Sequence, residues 1–393
     1  MKRDVVIVGA VRTAIGDFMG SLKDVSAIDL GVIALKGALE KAEVDASQVE
    51  EVVGGNVIPA GSPGNVIRHV AVRAGVPVEA PGMTVNQQCP SSMRATEIVA
   101  QQIMLGNIEI GAVVGTENMS QAPYLLMKAR TGYRLGNGET IQDSMMYNGL
   151  ICGFIGVHMG ITAENVAELY NITRQEQDEL ALLSNQRAMA AIREGRFKEE
   201  IVPVEIKTRK GTVIFDTDEH PKDTNMEELG KLPTAFKKDG TVTAGNASGI
   251  NDGASALILM SADKAEELGK KPLARIVATA SAGVEPRVMG LGVVPAVQKA
   301  LKRANLSIDD IGYWEINEAF AAQFLGCNRQ LKLSLDKVNG NGSGVGLGHP
   351  VGSTGSRLIV ALIYEMRRRG VRYGCASLCA GGGPAAAIIV EAL

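Results

Sequence analysis

Two stretches of this chain, 262 residues apart, follow one pattern, and that repeat limits the fold more than any other feature. Gly37-Ala38-Leu39-Glu40-Lys41-Ala42-Glu43-Val44 passes through a polar turn to Val49. Lys299-Ala300-Leu301-Lys302-Arg303-Ala304-Asn305-Leu306 passes through another to Ile311 at the same spacing. In each copy a helical pattern leads into a strand. A weaker echo follows, in which the helical pattern ending at Gly106 parallels the one ending at Gly370. Coincidence between two amphipathic units is one explanation; two homologous α/β halves is the sharper one.

The rest of the chain fits layered α/β architecture. Short β-branched runs at 5–8, 51–53, 112–115, 256–260, 274–280, 313–316, 376–379 and 386–390 alternate with helical patterns at 28–41, 93–105, 174–194, 294–304 and 356–369. The stretch 121–249 belongs to neither half. It is rich in Met, Asn, Lys and Glu and holds a polar segment at 216–228. Inserted segments of that size often cover substrates or contact other subunits. The expected division is therefore 1–120 plus 250–271 as the first half, 121–249 as an inserted loop domain, and 272–393 as the second half.

Composition narrows the function. Asp and Glu total 43 against 40 Lys and Arg, a near balance that argues against a nucleic-acid binder. No apolar run reaches the length of a membrane span, and the apolar start 5–8 is interrupted by Arg12, so it reads as a buried strand. The five cysteines are odd in number and contain no C-x-x-C pair. That argues against a disulfide framework or structural zinc and fits a reducing cytoplasm. Glycine, at 46 of 393 residues, is well above the usual share of roughly 7%, which points to tight turns and close backbone approaches.

Four places could carry chemistry. Cys89, in Asn86-Gln87-Gln88-Cys89-Pro90-Ser91-Ser92, precedes a helical pattern, and Pro90 suits a first helical position. A thiol there is expected to be acidified by the helix dipole, although a buried structural cysteine is the commoner fate. His349 is one of four histidines and sits in the densest glycine cluster, Gly340-Asn341-Gly342-Ser343-Gly344-Val345-Gly346-Leu347-Gly348-His349-Pro350. Imidazole is a natural base for a thiol, a satisfied histidine in a tight turn being the plainer reading. Cys379, in Leu378-Cys379-Ala380-Gly381-Gly382-Gly383, ends a strand beside backbone N–H groups that could serve an oxyanion. Asn317, in Glu315-Ile316-Asn317-Glu318-Ala319-Phe320, leaves another strand where α/β sheets place ligands, or simply caps a helix in solvent.

Together these segments resemble the thiolases, in their acetyl-CoA acetyltransferase branch, over essentially the whole chain. The likeness includes Val11-Arg12-Thr13-Ala14-Ile15-Gly16, Glu117-Asn118-Met119-Ser120-Gln121-Ala122-Pro123, His158-Met159-Gly160 and Ala244-Gly245-Asn246-Ala247-Ser248-Gly249. It is most specific at Asn317-Glu318-Ala319-Phe320, Gly348-His349-Pro350 and Cys379-Ala380-Gly381. The resemblance implies a duplicated α/β/α layered core of the thiolase type with an inserted loop domain. It implies Cys89 as acyl acceptor, His349 as its base, Cys379 as the group moving a substrate α-proton, and Asn317 holding a water. The backbone N–H groups of Cys89 and Gly381 would bind the acyl oxygen. Ser248, His158, Met159, Lys222, Phe236, Ala244, Ala319 and Phe320 match substrate and coenzyme A positions.

The implied reaction joins two acetyl-CoA reversibly into acetoacetyl-CoA and CoA. The CoA thioesters are substrates, and no metal or resident cofactor is called for. The alternatives are a 3-ketoacyl-CoA thiolase of broader chain length, a decarboxylating ketoacyl synthase, or a non-catalytic scaffold or lipid-binding subunit. Resemblance further implies a homotetramer contacted through the segment 123–138. The chain departs from the family at Pro90-Ser91-Ser92 and at Ser343, Gly344 and Gly346. These changes are expected to leave the chemistry intact while altering rate or acyl-chain preference.

Overall fold

A computed structural model describes residues 3–136 and 140–393. Nine main strands form the frame: Val5–Thr13 (β1), Glu51–Gly55 (β2), Gly82–Val85 (β3), Ile110–Asn118 (β4), Asn251–Ser261 (β5), Ala274–Gly283 (β6), Tyr313–Ile316 (β7), Tyr373–Cys379 (β8) and Pro384–Ala392 (β9). They bond in the order β7-β8-β9-β6-β1-β5-β4-β2-β3.

From the seam between β1 and β6 the order reads the same outward over four strands on each side, with β3 as a fifth on the first side. β2 lies parallel to β4, which is antiparallel to β5, which is antiparallel to β1. Likewise β7 lies parallel to β8, which is antiparallel to β9, which is antiparallel to β6. The halves join where β1 meets β6 through only two register pairs, Val6 with Arg275 and Ile7 with Ala274.

The longer helices among the described residues are Ala27–Ala42 (α1), Val66–Ala74 (α2), Ser91–Leu105 (α3), Met159–Tyr170 (α4), Arg174–Arg193 (α5), Val293–Ala304 (α6), Ala321–Leu331 (α7) and Val351–Arg369 (α8). The sequence repeat is a repeat of helix ends. α1 stops at Glu43 (φ 52°, ψ 40°) and α6 at Asn305 (φ 54°, ψ 42°), both left-handed caps whose N–H groups bond the preceding turn. The weaker echo holds as well, with α3 and α8 ending on left-handed Gly106 and Gly370.

Strand periodicity explains the layers. Side chains alternate faces along a strand, and here both faces are apolar. Ala112 and Val114 of β4 and Ile258 of β5 pack outward with α1 and α2. Val113, Leu257 and Leu259 pack inward against Met93, Val99 and Ile103 of α3 and Leu358 and Leu362 of α8. Those two helices also meet Leu378 and Ile388 of the second half. The outer face of that half is covered by α6, α7 and, from the segment 121–249, α4 and α5. Each half is thus an α/β/α unit, and the two share one middle layer, α3 and α8. Among the described residues no helix is long and apolar enough to cross a membrane.

Candidate active site

Both helices of the shared layer begin at a chemically loaded turn. Cys89 lies in the turn between β3 and α3. Its neighbour Gln88 takes a left-handed conformation (φ 59°), held by its N–H to Asn86 Oδ1 (2.9 Å) and its carbonyl accepting from Ser91 Oγ (2.5 Å). The helix starts at Ser91, one residue later than expected, so Pro90 is the cap. The two serines of the segment that departs from the family pattern at Pro90 and Ser92 are employed locally. Ser91 Oγ also accepts from Gln87 N (2.9 Å), and Ser92 Oγ accepts from Ser356 N (2.9 Å), tying α3 to α8. At the other departure, Ser343 Oγ bonds Ile316 O, and a Cβ at Gly346 would stand 2.5 Å from Ser184 O.

His349 stands two residues before α8 begins. Gly348 before it has φ 97° and ψ 167°, a region open essentially to glycine alone, and a Cβ there would lie 2.6 Å from Asn251 Cγ. Gly348→Ala is therefore expected to destabilise the fold by roughly 2 kcal/mol or more, read as a lowered urea midpoint; an unchanged midpoint would show the loop relaxes freely. The His349 N–H donates to Asn251 Oδ1 (2.9 Å).

The tautomer follows from the hydroxyl beside the ring. Thr354 Oγ1 donates its single proton to Pro350 O (2.9 Å), so its 2.6 Å contact with His349 Nδ1 must be donated by the ring. Nε2 is left with its lone pair, which accepts from Asn317 Nδ2 at 3.4 Å. Asn317 is fully buried at the end of β7, four residues before α7 begins, so it is no solvated cap. Cys379 ends β8 in the same buried region, followed by a glycine turn closed by Gly383 N to Ala380 O.

Backbone N–H groups of Cys89 itself and of Gly381 lie against the Cys89 sulfur. The expected acidification of this thiol does not occur. Burial pushes it up to about 12, against the pull of those two N–H groups and with the Glu117 charge adding to the rise. The helix dipole is worth under about 2 kcal/mol, less than the loss of hydration at an enclosed sulfur. Cys379 is likewise raised by burial, then by the nearness of Cys89 and Cys327.

Burial pushes His349 down to about 3, Arg357 adding to the shift. An unfolded histidine titrates near 6.5, so between about pH 6.5 and 3 the unfolded chain holds the extra proton. Stability tied to His349 is thus complete above about pH 6.5 and drains away as pH falls toward 3. Melting curves should show wild type losing ground to His349→Asn over that window, and parallel curves would refute a neutral buried imidazole.

A cavity of about 450 Å³ leads to His349, lined also by His158, Lys222, Phe236, Ala244, Ser248 and Phe320. Lys222 and Ala244 are exposed at its mouth. His158 stacks on Phe236 (centroids 4.5 Å apart), which meets Phe320 edge-on (6.0 Å). Ser248 N bonds Ala319 O (3.0 Å), and Met159 sits under Gly381, where a Cβ would lie 2.8 Å from its Cε. Seven of the candidate residues thus line this cavity; Asn317 reaches it through His349 and Ala319 through Ser248, while Gly381 adjoins both Met159 and the Cys89 sulfur, which lies near Cys379. Four residues escaped the sequence reading as site groups: Thr354 and Asn251 behind His349, and His220 with its partner Asp17 in the cavity wall (2.5 Å). Only Thr354, in the first turn after His349, lay close enough in sequence to be found. Among the described residues, no group of three or more His, Cys, Asp or Glu is placed to hold a metal ion.

A duplicated, five-layer α/β frame with two thiols and an imidazole at the seam of its halves defines the thiolase-like class. The thiolase N-terminal domain family matches residues 5–263 and the thiolase C-terminal domain family residues 270–392. The chain belongs to the thiolase family. It is similar to an acetyl-CoA acetyltransferase of Syntrophomonas wolfei, 51% identical over 397 residues and covering all of both chains. The solved acetyl-CoA acetyltransferase structure from that organism aligns with a TM-score of 0.98 at 50% identity over the full length of both. Human mitochondrial 3-ketoacyl-CoA thiolase in complex with CoA aligns with a TM-score of 0.95 at 43% identity, over all of this chain and 98% of that one.

Proposed function

We propose that this chain is an acetyl-CoA acetyltransferase, interconverting two acetyl-CoA with acetoacetyl-CoA and CoA through an acetyl group on Cys89. The observation that carries the reading is the His349 tautomer: an Nε2 lone pair beside Asn317 at the end of a cavity shared with Ser248 and Phe236. Cys89 attacks the thioester carbonyl and gives its proton to Nε2. The carbonyl oxygen is received by the N–H groups of Cys89 and Gly381. As the carbon–sulfur bond to CoA breaks, the departing thiolate takes the Cys379 proton.

The Cys379 thiolate then removes an α-proton from a second acetyl-CoA. The enolate oxygen is met by the imidazolium N–H and a water held by Asn317. The new carbon–carbon bond forms, Cys89 leaves as thiolate and recovers its proton from His349. Every proton is returned, and the sulfur-to-sulfur exchange keeps the intermediate at thioester energy. A resting histidine as weakly basic as this one holds a proton only while a thiolate or enolate faces it, so charge appears where it is used. No resident cofactor takes part.

Incubation with acetyl-CoA followed by peptide mapping tests the reading. Acetylation of the Cys89 peptide is expected, and its absence would favour the scaffold reading. The His158–Phe236–Phe320 ring cluster narrows the cavity and supports short acyl chains. Comparable kcat/KM for acetoacetyl-CoA and for longer 3-ketoacyl-CoA esters would instead favour the broader thiolase. We also propose a cytoplasmic homotetramer. Free cysteines support the location, and the exposed Tyr124, Leu126, Met127, Tyr133 and Leu135 support a contact through 123–138, whose end lies outside the described residues. Light scattering tests the subunit count.

A further inference from the structure

Glu117, at the end of β4, has a fully buried carboxylate that the reaction above does not use. Its Oε1 accepts from Asn56 Nδ2 (2.8 Å) and Ile58 N (3.1 Å), and its Oε2 accepts from Val57 N (2.8 Å) and Gly352 N (2.9 Å). Four donors occupy both oxygens and leave no acceptor for a carboxyl proton, so the cradle fits the ionised form. Burial pushes this carboxyl up to about 7, the backbone N–H groups pull it back down, and Asp252 on β5 raises it.

The two donors on Oε2 lead to the two halves of the site. Gly352 is three residues past His349, in the first turn of α8, where backbone N–H groups have no partner inside the helix. Val57 leads the other way. Its carbonyl accepts from Asn86 Nδ2 (3.2 Å), and Asn86 Oδ1 accepts from Gln88 N (2.9 Å), next to Cys89. Backbone contact reinforces the link. A Cβ on Gly55 would lie 2.5 Å from Ser92 N and 2.7 Å from Gly352 O, and one on Gly352 would lie 2.5 Å from Glu117 Oε2.

We propose that Glu117 is a positioning residue, a single oxygen of which ties the Cys89 turn to the start of the His349 helix and fixes the sulfur-to-imidazole geometry. The proposal rests on the roles given above to Cys89 and His349. The carboxylate form that its four donors favour also lies behind the nucleophile, where its charge adds to burial in holding Cys89 as a thiol until His349 takes its proton. The other titratable or charged groups around this pair are Cys379 at the end of β8, Asp252 on β5, and Arg357 on α8 behind the imidazole.

Glu117→Gln and Asn56→Ala test it, with kinetics, melting curves and the pH dependence of Cys89 alkylation by iodoacetamide. Glutamine puts an amide N–H₂ against donors and removes the charge. Misplacement of reacting groups by about an ångström costs on the order of 100-fold. Glu117→Gln is expected to lower kcat by about that factor with KM within about threefold. Its alkylation profile is expected to move to lower pH. Asn56→Ala keeps the charge, so it should lower kcat by roughly tenfold and leave the alkylation profile in place; it decides the matter if Glu117→Gln does not fold. Wild-type kcat in a folded Glu117→Gln or in Asn56→Ala overturns the proposal, as does an unmoved alkylation profile in Glu117→Gln. If wild type itself takes no acetyl group on Cys89, the underlying reading has failed; if it does and Glu117→Gln matches it, only this inference has.

Discussion

Cys89→Ser is expected to reduce acetoacetyl-CoA thiolysis by at least about 10⁴-fold, with KM changed little. The hydroxyl keeps the turn intact, since the contacts that hold it come from Gln88, Ser91 and Asn86 rather than from the sulfur. The N–H groups of Cys89 and Gly381 also stay in place. What is lost is ionisation. An imidazole driven down to about 3 by burial can accept a proton from a thiol as the thioester bond forms. It is far too weak a base for a serine hydroxyl. The product is different too, because an oxygen ester in place of a thioester would hold the acetyl group too firmly to pass it on. Steady-state assay in the thiolysis direction reads the effect. Retention of more than about one-hundredth of wild-type kcat would remove Cys89 from the centre of the mechanism.

Cys379→Ala separates the two half-reactions. Condensation and thiolysis are expected to fall by about 10²–10⁴-fold, the usual span for loss of a proton-transfer group. Acetylation of Cys89 by acetyl-CoA should persist, slowed, because water can supply the proton to departing CoA. The sharper measurement is exchange of the acetyl-CoA methyl protons in heavy water, which wild type should catalyse and the variant should not. Cys379 is sealed at the end of β8, and burial holds it as a thiol until the departing CoA thiolate takes its proton. Exchange at the wild-type rate in Cys379→Ala would assign the α-proton to another group.

Much of this was legible in the sequence because the signals are local. Strand cores such as 112–115 and 386–390 and helices such as 174–194 announce themselves by periodicity, and the paired caps at Glu43 and Asn305 made the duplication visible. Cys89, His349, Cys379 and Asn317 each stand at the end of a strand or just before a helix, Cys89 and His349 next to proline and Cys379 two residues before a glycine run. The supporting groups are a different matter. His349 is held by Asn251, 98 residues away, and Gly352 by Glu117, 235 residues away, and no local pattern reports such pairs. The acidity of Cys89 was misjudged for a related reason. A helix start can be read from neighbours, but the burial that outweighs its dipole comes from residues far off in the chain, such as Val57, Met119 and Val351.

The shared middle layer constrains how thiolases can be recombined. Splicing one relative's first half onto another's second half at 262–273 would look harmless, because β1 and β6 touch through only two register pairs. Yet the junction that matters lies elsewhere, where Gly55, Ser92 and Gly352 leave no room for a side chain between the starts of α3 and α8. A hybrid keeps its active geometry only when the crossover delivers both helix starts and the carboxylate between them from compatible parents. Shuffled libraries should accordingly survive by the match at these few positions, and hardly at all by the overall similarity of the donors.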